Sequence, residues 1–148
     1  MRLFVKEKSN GLIIVGCGRL GSSLARTMAE EGQNVTVIDC DENALQKLPA
    51  SYEGCSVIGD GTDTDILETA GIRHAAALIA ATDDDAANIM IAQIASRHYQ
   101  LKNVIAYVEN TSKAVNSPEI NMIMISPTIL SVKEAQKILF HVKEEKAV

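Results

Sequence analysis

Six residues, Gly16-Cys17-Gly18-Arg19-Leu20-Gly21, have the types and spacing to hold a phosphate with backbone alone. An apolar run, Leu12 to Val15, leads into them, and a helical pattern leads out. In that setting G-x-G-x-x-G is a dinucleotide-binding turn, whereas a bare glycine triplet is only a turn. Gly16 permits the tight turn, Gly18 leaves the backbone open to a pyrophosphate, and Gly21 lets helix and sheet approach closely. A helix starting near Arg19 aims unpaired N–H groups and its positive dipole end at the phosphates. Arg19 either reaches a phosphate or stays solvated. The next apolar run, Val35 to Ile38, ends at Asp39. That carboxylate can accept both ribose hydroxyls of an adenosine and repels a 2′-phosphate, so NADP is disfavoured. Cys40 and Asp41 follow it, and Asp41 also suits the N-cap of the next helix.

Three more strand ends add candidates. In Gly59-Asp60-Gly61, Asp60 can accept from an adenine amino group and Gly59 lets a ring pass close to the chain, although Asp-Gly also makes an ordinary turn. In Ala81-Thr82-Asp83, small residues leave room for a ligand and Thr82 offers a hydroxyl. After Tyr107, Glu109 is either a site residue or a solvated loop acid, and the two stay open. The histidines, His74, His98 and His141, lie away from the expected ligand edge and read as surface residues. Cys17 near a helix start could have a lowered pKa, but a small residue that fits the turn is the stronger reading. No His/Cys cluster has zinc-ligand spacing, so no metal site is expected.

These residues must be positioned by alternating strands and helices. Strand-like apolar runs lie near 12–16, 34–38, 55–59, 76–81, 103–108 and 121–125, and several are almost continuously hydrophobic. Strands covered on both faces look like that, so the sheet should be parallel. Helical patterns fall near 19–31, 41–48, 63–70, 84–98, 111–117 and 127–143. Thr62 with Asp65 and Thr82 with Asp85 have the form of capping boxes, Ser126-Pro127 suits a helix start, and Gly71 suits a helix stop. The fold expected is α/β: a doubly wound Rossmann-like domain with a six-stranded, mainly parallel sheet and helices on both faces. Residues 1–10 read as a leader or linker, 11–143 as the domain and 144–148 as a tail. In the last helix, Val132, Ala135, Leu139 and Val142 form one apolar stripe that either covers the sheet or meets another subunit.

The 148 residues carry a net charge of −5, with two Phe, three Tyr and no Trp. That gives no footprint for nucleic acid and little on which to stack bases. No apolar run reaches the ~18 residues a membrane span needs, so direct membrane insertion is not expected. An odd count of three cysteines without C-x-x-C fits a reducing cytoplasm.

The segments GCGRLGSSLA, VTVIDCDENAL, VIGDGTDTDILETAGI and LIAATDDDAANIMIAQIA together resemble the RCK/KTN nucleotide-binding domain of Trk/Ktr potassium-uptake systems and potassium channels. The likeness runs from about Gly11 to Ala135. It implies a cytoplasmic, non-enzymatic regulatory subunit that binds NAD or NADH, or alternatively ATP or ADP, and gates a membrane-embedded potassium transporter or channel. It implies a homodimer or larger ring joined through the last helix. By position, Gly16, Gly18, Arg19 and Gly21 would hold phosphates and Asp39 the ribose. Asp60 would meet the adenine end and Thr82 the distal half; Asn88 matches the family's helix-four asparagine. Tyr107 stands where the family often has Arg, and Thr128 follows Pro127 where it tends to have Glu, which weakens any metal-assisted ATP site. The smaller C-terminal domain that often follows is not expected within these 148 residues, which would be a stand-alone subunit, a partner of a separate pore or a fragment of a longer chain. The alternative is a small NAD-dependent oxidoreductase or the cofactor-binding part of one.

Overall fold

The computed structural model describes residues 11–110 and 121–140. The leader at 1–10, the helix expected near 111–117, the end of the last helix and the tail at 144–148 lie outside the described residues. Strands β1 (Gly11–Val15), β2 (Val35–Asp39), β3 (Cys55–Ile58), β4 (Ala75–Ala80), β5 (Val104–Tyr107) and β6 (Ile123–Ile125) form one sheet. Between and after them come helices α1 (Arg19–Glu30), α2 (Glu42–Gln46), α3 (Thr64–Thr69), α4 (Asp85–Gln93) and α5 (Pro127–Phe140). The strand order is β3-β2-β1-β4-β5-β6, and every pairing is parallel. Chain order therefore reverses between β1 and β4, and the crevice outside the carboxyl ends at that reversal is where such sheets bind ligands.

Side chains alternate across each strand and divide the core into two layers. Ile13, Val15, Leu78 and Ala80 point to the layer that holds Leu67, Ile72 and Ile91. Leu12, Ile14, Ala77 and Ile79 point to the layer that holds Ala25 and Leu45. Double coverage explains why β1 and β4 read as unbroken apolar runs.

Helix starts depart from expectation at two places. Asp63 caps α3 by accepting from the Asp65 N–H at 2.9 Å, and Asp84 caps α4 by accepting from the N–H groups of Ala86 and Ala87. The expected caps were Thr62 and Thr82. Each helix begins later than that pattern implies, and a carboxylate there both reaches the orphan N–H groups and complements the dipole. Asp41 does cap α2, Ser126 accepts from the Ile129 N–H at 3.2 Å, and Gly71 is left-handed at φ 89°. The helix expected over 84–98 is an α-helix to Gln93 continued by a π-helical stretch, Ile94–His98.

Of the apolar stripe of the last helix, the described residues Val132, Ala135 and Leu139 do not cover the sheet. Every residue from Thr128 to Phe140 is exposed.

Candidate functional site

A cleft of about 820 Å³ opens at the carboxyl ends of β1, β2, β4 and β5. The glycine turn forms its floor. Gly16 has φ 105°, which only glycine adopts without strain, and a Cβ there would meet the Ala81 carbonyl oxygen at 2.5 Å. A Cβ on Gly21 would overlap the Gly16 carbonyl oxygen, so this glycine serves the packing of α1 against β1. Gly18 differs: nothing lies within 4 Å of where its Cβ would stand. The space above it is open to the cleft.

Helix α1 starts at that open space, and it alone among the helices α1 to α5 has no side-chain cap. The first N–H groups of a helix have no intrahelical acceptor, so those of α1 are left for water or a ligand. Arg19 and Leu20, in the first turn, line the cleft.

Asp39 closes the opposite side. Its carboxylate accepts from the Cys17 N–H at 2.7 Å through Oδ2 and from the Asp41 N–H at 2.8 Å through Oδ1. A carboxylate has about four acceptor positions, so each oxygen keeps a free lone pair while the group is held still. Two fixed acceptors side by side match a vicinal diol. The bond to Cys17 ties the end of β2 to the glycine turn across 22 residues of sequence.

Gly16, Gly18, Asp39, Cys40 and Gly59 line the cleft, as do Asp60, Gly61, Ala81, Thr82 and Asp83. Cys17 and Gly21 do not. Cys17 is 1% exposed, and burial, reinforced by the nearby Asp39 charge, pushes its thiol pKa up. That outcome overturns the lowered pKa considered for it and leaves a small residue filling the turn. Burial, then the charges of Asp60 and Asp39, also raise Cys40. Asp60 accepts from the Thr62 N–H and hydroxyl, both at 2.8 Å, and these bonds hold its carboxyl below the usual range. One oxygen of Asp60 thus closes the turn, and the carboxylate borders the cleft.

On the far side the rim is made by β4, β5 and the start of α5. Glu109 lines the cleft, where its Oε2 accepts from the Thr128 hydroxyl, and Pro127 lines it too. Seven carboxylates and a single cation, Arg19, line the whole cleft among the described residues. No group of three His, Cys, Asp or Glu placed to hold a metal occurs among them.

Asn88, matched in the sequence by resemblance alone, has bonding partners that sequence reasoning did not supply. It is 1% exposed and bonds to Thr82 and to Tyr107. A polar side chain flanked by Ile89, Ile91 and Ala92 on a buried helix had to find partners, and that was the available signal.

Sheet order, glycine turn and cleft at the strand-order reversal define a doubly wound nucleotide-binding-type domain. Within that class, the family model "TrkA-N domain" matches residues 12–129, and the chain belongs to that family. It is 35% identical over 122 residues to the Trk system potassium uptake protein TrkA of Streptomyces coelicolor, covering 82% of this chain and 53% of that protein. The chain thus spans about half the length of that curated relative. The fold is similar to the TrkA-N domain of the inner membrane protein ybaL from Escherichia coli (TM-score 0.76, 18% identity, 88% of this chain and 97% of that one). It is also similar to GsuK bound to ADP (TM-score 0.67, 21% identity, 94% and 36% covered) and to the GsuK channel bound to NAD (TM-score 0.59, 18% identity, 72% and 19% covered).

Proposed function

We propose that this chain is a cytoplasmic regulatory module that binds NAD or NADH in the cleft and, through it, gates a membrane-embedded potassium transporter or channel. One observation carries the reading: Asp39, held by two N–H groups with a lone pair free on each oxygen, faces an uncapped helix start across an open glycine. That set suits a ribose diol and a pyrophosphate, with the glycine turn, Arg19 and Leu20 at the phosphates and Asp39 at the ribose. The family and the Trk relative support the potassium partner. The exposed apolar face of α5 supports self-association into a dimer or ring.

ADP is the second reading, favoured by the GsuK structure that holds it. ATP fits less well, because a third phosphate would enter the acidic side of the cleft near Asp83 and Glu109. Catalysis is disfavoured: no histidine or lysine lines the cleft among the described residues. Tyr107 lines it, and burial pushes its phenol up.

Calorimetric titration with NAD+, NADH, ADP, ATP and NADPH tests this, paired with sedimentation with and without nucleotide. Selective binding of NAD+ or NADH, weakened at least about tenfold by Asp39→Ala, is the expected result. Binding of NADPH equal to that of NADH would count against Asp39 as the ribose acceptor.

A further inference from the structure

The ladder between β4 and β5 ends at the pair Ala80 and Ala106, below the floor of the cleft. Beyond it the two strand ends are joined by one side chain. Asn88, on α4, accepts through Oδ1 from the Thr82 N–H at 2.9 Å and from the Thr82 hydroxyl. Through Nδ2 it donates to the Thr82 carbonyl at 3.1 Å and to the Tyr107 carbonyl at 2.8 Å. A carboxamide has two donors and two acceptor lone pairs, and all four are used. The side chain stands in for a bridging peptide unit where the β4–β5 ladder has stopped. A second strap lies beside it: the Asp85 carboxylate accepts from the N–H groups of Glu109 and Asn110 at 2.9 and 2.8 Å.

Thr82 and Tyr107 line the cleft, and Asn88 does not. We infer that Asn88 is a positioning residue, which sets the spacing of the β4 and β5 ends on which the distal half of a bound dinucleotide rests. The inference deepens the nucleotide-binding reading above and rests on it. Asp39 holds the adenosine half over the ends of β1 and β2. A ligand that crosses the reversal between β1 and β4 then lays its second half over β4 and β5. AMP, with a single phosphate, stops before reaching that ground. Asn88 therefore acts on a dinucleotide and leaves AMP alone.

The test is calorimetric titration of the full chain with AMP and with NAD+, for wild type, Asn88→Asp and Asn88→Ala, each first shown to melt cooperatively. Asn88→Asp keeps the shape, removes both donors and sets a carboxylate against two carbonyl oxygens; Asn88→Ala removes all four bonds, and of its partners the Thr82 hydroxyl keeps its bonds to Asp84. NAD+ affinity should fall at least about tenfold and AMP affinity should stay within about threefold. Equal losses for both ligands in a folded variant reduce Asn88 to general scaffolding and overturn the inference. Unchanged NAD+ affinity overturns it as well. If neither variant folds, the Asn88 side-chain amide signal of the 15N-labelled wild type decides. It should shift with NAD+ and stay still with AMP, and any other pattern overturns the inference. A wild-type chain that binds neither AMP nor NAD+ fails differently, because the nucleotide reading itself then falls and takes this inference with it.

Discussion

Helices α4 and α5 are both rich in aliphatic residues, DAANIMIAQ and PTILSVKEAQKILF, yet α4 buries Asn88, Ile89, Ile91 and Ala92 while α5 buries nothing. On α5, Ile138, Leu139 and Phe140 are 67%, 69% and 73% exposed. Ile91, on α4, sits in the core layer with Val15 and Leu78. The difference teaches that an apolar helical face announces a need for a partner without naming it. For α4 the partner is the sheet. For α5 no partner occurs among the described residues, and a second copy of the chain meets the need in the function proposed above. The first turn of α5 belongs to both regions, since Pro127 borders the cleft and Thr128 bonds Glu109.

The contrast between surface met inside the chain and surface left open is tested most severely at two glycines. Gly21→Ala forces a methyl into the Gly16 carbonyl, a backbone atom that cannot yield, and should cost about 3 kcal/mol or more of stability. Gly18→Ala, with open space around the added methyl, should leave the melting curve unchanged and weaken nucleotide binding at least about tenfold. Thermal melts and titrations of both variants check this, and a destabilised Gly18→Ala would contradict it.

The helices themselves give the next largest effect. Ile91→Ala should cost about 3 kcal/mol in denaturant unfolding, the usual range for a fully buried aliphatic side chain. Leu139→Ala should change monomer stability by less than about 0.5 kcal/mol. The same variant should lower self-association in sedimentation. An equal stability loss at both positions would mean that α5 packs on its own domain after all.

The smallest effect is a titration at the cleft. The Thr62 N–H and hydroxyl hold the Asp60 carboxyl below its ordinary pKa in the folded chain. A folded value below the unfolded one stabilises the fold above the unfolded pKa, and this contribution fades as pH falls through the folded value. Thr62→Val removes the hydroxyl and keeps the N–H. The Asp60 carboxyl signal should then titrate at higher pH than in wild type, and a carbon NMR titration reads it directly.

Much of the fold was legible because the rules involved are local. Leu12 to Val15 and Ala75 to Ala80 read as doubly covered strands, and the glycines with Asp39 at the next strand end read as a tight turn with an acid beside it. Thr62 and Thr82 were misjudged as caps because the pattern [ST]-x-x-[DE] also fits a helix that begins one or more residues later under an Asp cap. The burial of Cys17 was not legible either, since a helix start and a packed turn imply opposite effects on a thiol and only packing decides between them.

The sequence by itself determined the alternation of elements, the glycine turn and the acid at the end of β2, because each depends on residues a few positions apart. Only the tertiary structure decided that Asp39 would hold the Cys17 N–H, that Asn88 would join the ends of β4 and β5, and that α5 would stand clear of the sheet. Asp39 and Cys17 are 22 residues apart, and Asn88 and Tyr107 are 19 apart. Such bonds form only after the order of the strands brings their ends together, and no local pattern of residue types encodes that order.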